Sequence, residues 1–410
     1  MRLLLPALLL LTACDRRAES EILATRTDSV GIELIVNPAP AWLPDEGWRI
    51  DEEPVLQIGH RPDGDPHYDL LRLSAGTVLS NGEIVVLMGA SRQARMFGPQ
   101  GEWLRDIGRE GAGPGELRRV GAMSISGDTL FIPDGQLRRL NAFSLSGAFL
   151  KSWQYLIAEG IGSLPPSHRL QDGSWIVSAG LPFRAEDLSP EGVLRQRIRF
   201  YRVGADLSVL LDTIAETAGR ELAVSPVSGT DDVRAMVESA VPAPLGRSSP
   251  VTAAADRFAW GDNSVPEVRF HAADGSLRRI LRWAAPAIHV DAALLERVKR
   301  AALARADGDD AARRSIESQY AHPSPAPVVP YFSDLRFDTN GALWVQEHAL
   351  SPDDAVHFRI FRSDGQYLGR RTLPARHRVL EIGHDRLLTV WQDADDLEYL
   401  RIYRLDRAAP

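Results

Sequence analysis

An all-β fold is what this sequence predicts: a six-bladed β-propeller of four-stranded blades, closed by an N-terminal strand. Three observations lead there. Apolar strands of period-two character, joined by turns rich in Gly, Asp and Asn, recur along most of the chain. The recurrence has a fixed period: Gly82 to Asp128 is 46 residues, Asp128 to Gly173 is 45 and Gly341 to Asp385 is 44. Gly173 to Arg257 and Arg257 to Gly341 are each 84, two gaps that carry extra material within the same pattern. Finally, the sixth copy lacks a fourth strand, while the early segment Pro54 to Gly59 has no blade of its own. Adding that segment to the last blade closes the ring and removes an exposed edge.

The chain opens with Arg2, the apolar run Leu3 to Leu11, and then Leu11-Thr12-Ala13-Cys14. A basic residue, a short apolar run and small residues before a cut make a secretory signal, too short to span a bilayer as a mature helix. Residues 1–13 are therefore expected to be a signal peptide, 14–53 a tether and connector, and 54–410 the propeller. The cysteine after Leu-Thr-Ala resembles the lipobox of bacterial lipoproteins, which implies cleavage before Cys14 and lipidation of its thiol and amine. Two or three acyl chains hold a protein at a membrane stably where one does not. Cys14 is the only cysteine in the chain, so the mature chain has no internal disulfide. Asp15 resembles the inner-membrane retention signal of some proteobacteria, a rule that does not transfer across phyla.

Gly31 to Val36 reads as a strand, and Asn37 to Trp48, with three prolines, as an extended connector that packs Trp42 and Trp48 on something larger. The repeats then begin, with their first turns at Asn81-Gly82, Gly127-Asp128, Asp172-Gly173, Asp256-Arg257, Asn340-Gly341 and His384-Asp385. Between the first and second lies Trp103 to Leu117, a strand running into Gly108, Gly111, Gly113, Pro114 and Gly115. A phosphate cradle would need a strand-loop-helix context with Lys-Ser/Thr or GxGxxG spacing, and neither is present. The glycines suit a chain crossing from the outer edge of one sheet to the inner strand of the next. Gly59 and Gly64-Asp65-Pro66 form a weaker copy upstream. This outer strand followed by IGxxGxGPGEL resembles the NHL repeat, and the chain resembles bacterial six-bladed lipoproteins of that type. The resemblance implies a fold and a central channel, not one activity.

Two insertions interrupt the period, at about 215–245 and 291–330. Thr230 to Ala240 reads as a short helix. Leu294, Leu295, Val298, Ala301 and Ala302 fall at helical spacing, and Ala311 to Tyr320 reads as a second helix after Asp307 to Asp310. Both insertions lie between a fourth strand and the next first strand, so they read either as flaps over one channel mouth or as crossings that are merely longer.

The net charge of -8 gives no electrostatic reason to expect nucleic acid. None of the ten histidines forms a zinc motif, although His60, His67 and His322 share the rim of the crossings. Six-bladed lactonases, which this architecture resembles, hold a divalent ion with channel carboxylates and amides. Here the inner strands offer only Asp334 and Glu381, while Asp63, Asp65 and Asp69 could bind calcium in a loop or form a plain solvated turn. No cofactor is expected, with calcium and zinc left open. No nucleophile motif is present. Arg72, Arg118, Arg247 and Arg376 fall where the chain enters four inner strands, and could ring one mouth for a carboxylate, phosphate or sulfate. Each could equally pair with an acidic crossing residue such as Glu116 or Asp69.

The expected function is a binding module, a monomer anchored in the cell envelope through Cys14, that takes a small anionic ligand or an envelope protein at its channel rim. The alternatives are a metal-dependent lactonase-like hydrolase or lyase in the channel, and a plain structural scaffold.

Overall fold

The computed structural model describes residues 24–43, 46–159, 161–189, 192–224, 240–254, 256–306, 309–321, 326–351 and 353–408. The signal segment, Cys14 and residues 225–239, which include most of the stretch read as a helix in the first insertion, lie outside them.

Antiparallel sheets follow one another along the chain, each built from strands in sequence order. The first holds Leu73–Val78, Ile84–Met88, Gln93–Phe97 and Trp103–Ile107. The second holds Ser124–Ser126, Thr129–Asp134, Arg139–Ser144 and Phe149–Gln154, and the third Pro166–Arg169, Trp175–Gly180, Val193–Val203 and Leu210–Ala223. The fourth starts with Val251–Ala253 and ends with Leu277–Trp283; the fifth runs from Asp334–Phe337 to Tyr367–Leu373. The sixth has His377–Ile382, Arg386–Gln392 and Glu398–Asp406. In the turn after the first strand, Gly82, Gly173 and Gly341 take φ of 86°, 87° and 81°, a left-handed position that glycine fills without steric cost.

A strand that alternates apolar side chains to both faces must find a partner sheet on each side. Ile84–Met88 is buried throughout its length for this reason. Val85 and Leu87 pack with Leu130 and Ile132 of the second sheet, while Ile84 and Val86 pack with Leu388 and Val390 of the sixth. The second and third sheets share Leu140, Trp175 and Tyr201; the third and fourth share Ile176, Phe200, Phe258 and Trp260. Two further clusters join the fourth to the fifth sheet and the fifth to the sixth. Consecutive sheets thus share a core, and the last shares one with the first. The chain is an all-β protein closed into a ring, the arrangement of a β-propeller.

The early segment closes the seam. Leu56–Ile58 pairs antiparallel with Glu398–Asp406, Ile58 opposite Leu400, and Arg49–Ile50 pairs with the end of the same strand. The N-terminal region does more than the sequence suggests. Ile32–Asn37 adds to the fourth sheet as a parallel neighbour of Leu277–Trp283, with Leu34 opposite Ile280. Buried Asn37 then ties two sheets together, donating to Gly365 O (3.1 Å) and accepting from Tyr367 N (2.8 Å). Trp42 and Trp48 lie 5.5 Å apart between ring centres, with Trp48 6.0 Å from Trp344 and the guanidinium groups of Arg371 and Arg407 over the two rings. Residues 24–43 and 46–58 therefore strap the outside of the fourth, fifth and sixth sheets.

The insertions also differ in detail from the sequence reading. The sheet does not end at Ala215: the fourth strand runs to Ala223, and Leu222 and Ala223 pair with Val241–Pro242. In the second insertion α1 (Ala292–Arg305) and α2 (Asp310–Tyr320) are capped by Asp291 and Asp309, whose carboxylates accept from Leu294 N and from Ala311 N and Ala312 N. Leu294 of α1 packs on Leu245 and Val329. None of these described helices is long and apolar enough to cross a membrane.

Candidate functional site

The glycine-rich crossing fills itself. The Glu116 carboxylate accepts from Gly113 N (2.8 Å) and from Arg109 (2.9 Å), and Arg139 donates to the Gly113 and Glu116 carbonyls. Those bonds to Gly113 N and Arg109 hold the Glu116 carboxyl below its ordinary range. The amide that a phosphate would need is taken by the loop's own carboxylate, so the crossing is structural.

The four arginines lie where the chain enters its inner strands, and each is held differently. Arg247 is committed to Glu221, which accepts from both its backbone N (2.7 Å) and its guanidinium. Arg376 pairs with Asp353 (3.2 Å) and donates to Asp393 O. Arg118 is exposed, its backbone N held by Asp134 (2.6 Å), and Arg72 is exposed with φ of 53°. None of the four lines the channel cavity, and the acidic partners are Glu221 and Asp353 rather than Glu116 or Asp69.

The metal candidates are spent elsewhere. His60 bonds Asp69 (3.0 Å), and His67 bonds Asp65 (2.7 Å) and lies tilted against Trp103. Asp63 accepts from Asp65 N within its own turn. His322 lies outside the described residues. Among the described residues, no three His, Cys, Asp or Glu side chains are placed to share an ion.

The inner strands themselves build a cavity of about 430 Å³, with Thr77, Ser124, Ser167, His168, Arg336 and Glu381 among its walls. Glu381 reaches from the sixth sheet to the first, accepting from Thr77 Oγ1 (2.8 Å) and Val78 N (2.7 Å). Burial raises its carboxyl above the ordinary range despite those bonds. Arg336 is balanced by Asp334 at 2.9 Å and donates to Leu380 O (3.3 Å).

His168 is the informative side chain. Burial drives its imidazole down to about 4, with Asp334 opposing the shift and Arg336 assisting it, so the ring is neutral at physiological pH. Ser167 Oγ spends its one proton on Ile176 O (2.8 Å), so it can only accept from His168 Nδ1 at 3.1 Å. The proton therefore sits on Nδ1, and Nε2 carries a lone pair with no partner among the described residues. His348 repeats this logic. Its Nδ1 can only donate to Ala349 O (3.0 Å), and burial lowers its pKa. It lines an adjoining cavity of about 550 Å³ with Arg220, Ser248, Ser249 and Asn263. Asp334 belongs to this second wall, beside the Asp334–Arg336 pair that faces the first. Leu245 and Leu350, on which α1 packs, neighbour the same cavity in the chain.

Sequence reasoning singled out Asp334 and Glu381 but passed over His168, Arg336 and His348. His168 stands in an inner strand, HRLQ, and period-two alternation was the signal that could have aimed it at the channel.

No family model matches the chain, and no curated protein matches it. Solved structures do. A member of the DUF4221 family from Bacteroides vulgatus is similar at 10% identity over 88% of this chain and 99% of that one, with a TM-score of 0.50. A protein from Bacteroides fragilis described as exported matches at 9% identity, over 91% and 99%, with a TM-score of 0.49. Virginiamycin B lyase from Staphylococcus aureus matches at 8% identity, over 88% and 99%, with a TM-score of 0.38. At these identities the likeness concerns the fold alone.

Proposed function

We propose that this chain is a six-bladed, NHL-type propeller, exported and held at the cell envelope through lipidated Cys14, that binds a small hydroxyl-bearing ligand in its channel. One observation carries the reading: His168, whose Nε2 has no partner among the described residues, lines a cavity whose wall also holds the hydroxyls of Ser74, Thr77, Ser124 and Ser167. Asp334 cancels Arg336, and the raised Glu381 resists ionisation, so an uncharged polyol or sugar suits the cavity better than an anion. The rim arginines give less support to an anion mouth, because Arg247 and Arg376 already have acidic partners.

A metal-dependent hydrolase has less support than binding, since the channel carboxylates and His168 do not gather round one point. The test is a thermal-shift screen of the mature chain against polyols, sugars, sugar acids and lactones, with divalent metals added or chelated. Stabilisation by a hydroxylated compound, abolished in His168→Phe, supports the proposal. Stabilisation by metal alone, reversed by chelation, overturns it.

A further inference from the structure

A larger cavity, about 820 Å³, lies away from the channel in the wedge between the first and last sheets. Its position follows from the alternation of two strands. Leu388 and Val390 of Arg386–Gln392, and Leu400 and Ile402 of Glu398–Asp406, point toward the first sheet and pack against Ile84 and Val86. Arg386 and Arg404 continue the same alternation, so they emerge on that face where the apolar cluster ends. They are direct cross-strand partners.

Like charges directly opposite on neighbouring strands destabilise a sheet unless something neutralises them. Neither guanidinium has a hydrogen bond or an ion pair among the described residues. Asp385 and Asp406 also line the cavity, but neither is within ion-pair reach of these arginines, and Asp406 accepts from Ala408 N (2.9 Å). Arg407, the third cation of the wall, is satisfied by Asp338 at 2.8 Å and by the Gly383 and His384 carbonyls. Arg386 favours ionisation of Glu381, which directs its oxygens to Thr77 and Val78 instead. Beside the two free guanidinium groups, Val55, Val78, Pro99 and Ile402 supply an apolar wall.

We propose that this seam cavity is a second binding site, independent of the channel, for a small organic carboxylate. The carboxylate would lie across Arg386 and Arg404, whose planar donors match its two oxygens. A short aliphatic or aromatic body would cover the apolar wall. Because residues of both the first and the last sheet line the cavity, the ligand binds only the closed ring and so stabilises it by mass action.

The experiment is thermal unfolding and calorimetric titration of the protein with hexanoate, 1-hexanol and inorganic phosphate as separate probes. Hexanoate is expected to raise the melting temperature, with 1-hexanol and phosphate having little effect. In Arg386→Gln/Arg404→Gln the hexanoate Kd should weaken at least about tenfold, as expected for loss of charge-assisted hydrogen bonds. The unliganded melting temperature of that variant should not fall, because the substitution removes a repulsion. His168→Phe should leave hexanoate binding unchanged, which separates this site from the channel. Equal stabilisation by 1-hexanol, an unchanged hexanoate Kd in the double variant, or no binding of hexanoate would each overturn the proposal. Phosphate binding as tight as hexanoate binding would overturn the part played by the apolar wall.

Discussion

Glu221 is fully buried beneath Arg247, and its carboxylate takes both the backbone N–H and the guanidinium of that one residue. Removing the arginine strands a buried carboxylate. Arg247→Ala is therefore expected to cost about 2–3 kcal/mol, somewhat less than a fully enclosed pair because Arg247 is 33% exposed. Arg72→Ala, at an exposed side chain with no partner among the described residues, should stay within about 0.5 kcal/mol. Urea unfolding of both variants checks the contrast. Equal, small effects would mean that Arg247 is free to bind a ligand.

His168 makes stability depend on pH. Its pKa is about 4 in the folded protein and near the ordinary 6.5 when unfolded, so between those values the unfolded chain binds more protons. Stability is complete above pH 6.5 and falls as the pH drops toward 4, by up to ~3 kcal/mol. His168→Gln should flatten that part of the curve. Denaturant titrations at a series of pH values read it directly.

The outer strap is expected to be integral to the ring. Asn37→Ala leaves Tyr367 N and Gly365 O without their partner and should cost about 2 kcal/mol. Gly365→Ala should also destabilise, since its φ is 90° and an added Cβ would collide with Ile35 Cδ1 in the buried core. Unfolding curves and hydrogen exchange in Ile32–Asn37 test both. Unchanged protection there would show that the strap is only loosely attached.

The Gly108 to Gly115 crossing should ignore phosphate. Amide resonances of Gly111 and Gly113 are expected to stay fixed when phosphate is added to the wild type, because Glu116 already occupies Gly113 N. In Glu116→Ala that amide loses its acceptor, and the loop should become more sensitive to protease. A phosphate-dependent shift in the wild type would restore the cradle reading.

The repeat was legible because its punctuation is local: Asn81-Gly82 or Asn340-Gly341 announces a turn whatever lies elsewhere in the chain. The early strand was legible from the missing edge of the last sheet. The parallel pairing of Leu34 with Ile280 was not, because no pattern in the sequence relates segments so far apart. The arginine positions were readable, but their partners were not. Glu221 lies in a strand extension that looked like the start of an insertion, and Asp353 in a loop on another sheet. His168 is an ordinary histidine in the sequence. Its interest arises from Ser167 bonding Ile176, which fixes the tautomer, and that requires the register of two strands.

Histidine-labelled NMR at neutral pH tests the channel site most directly. The account predicts a neutral His168 protonated on Nδ1, with an Nε2 signal that moves when a hydroxylated ligand binds. A His168 protonated on Nε2, or already charged at pH 7, would contradict it.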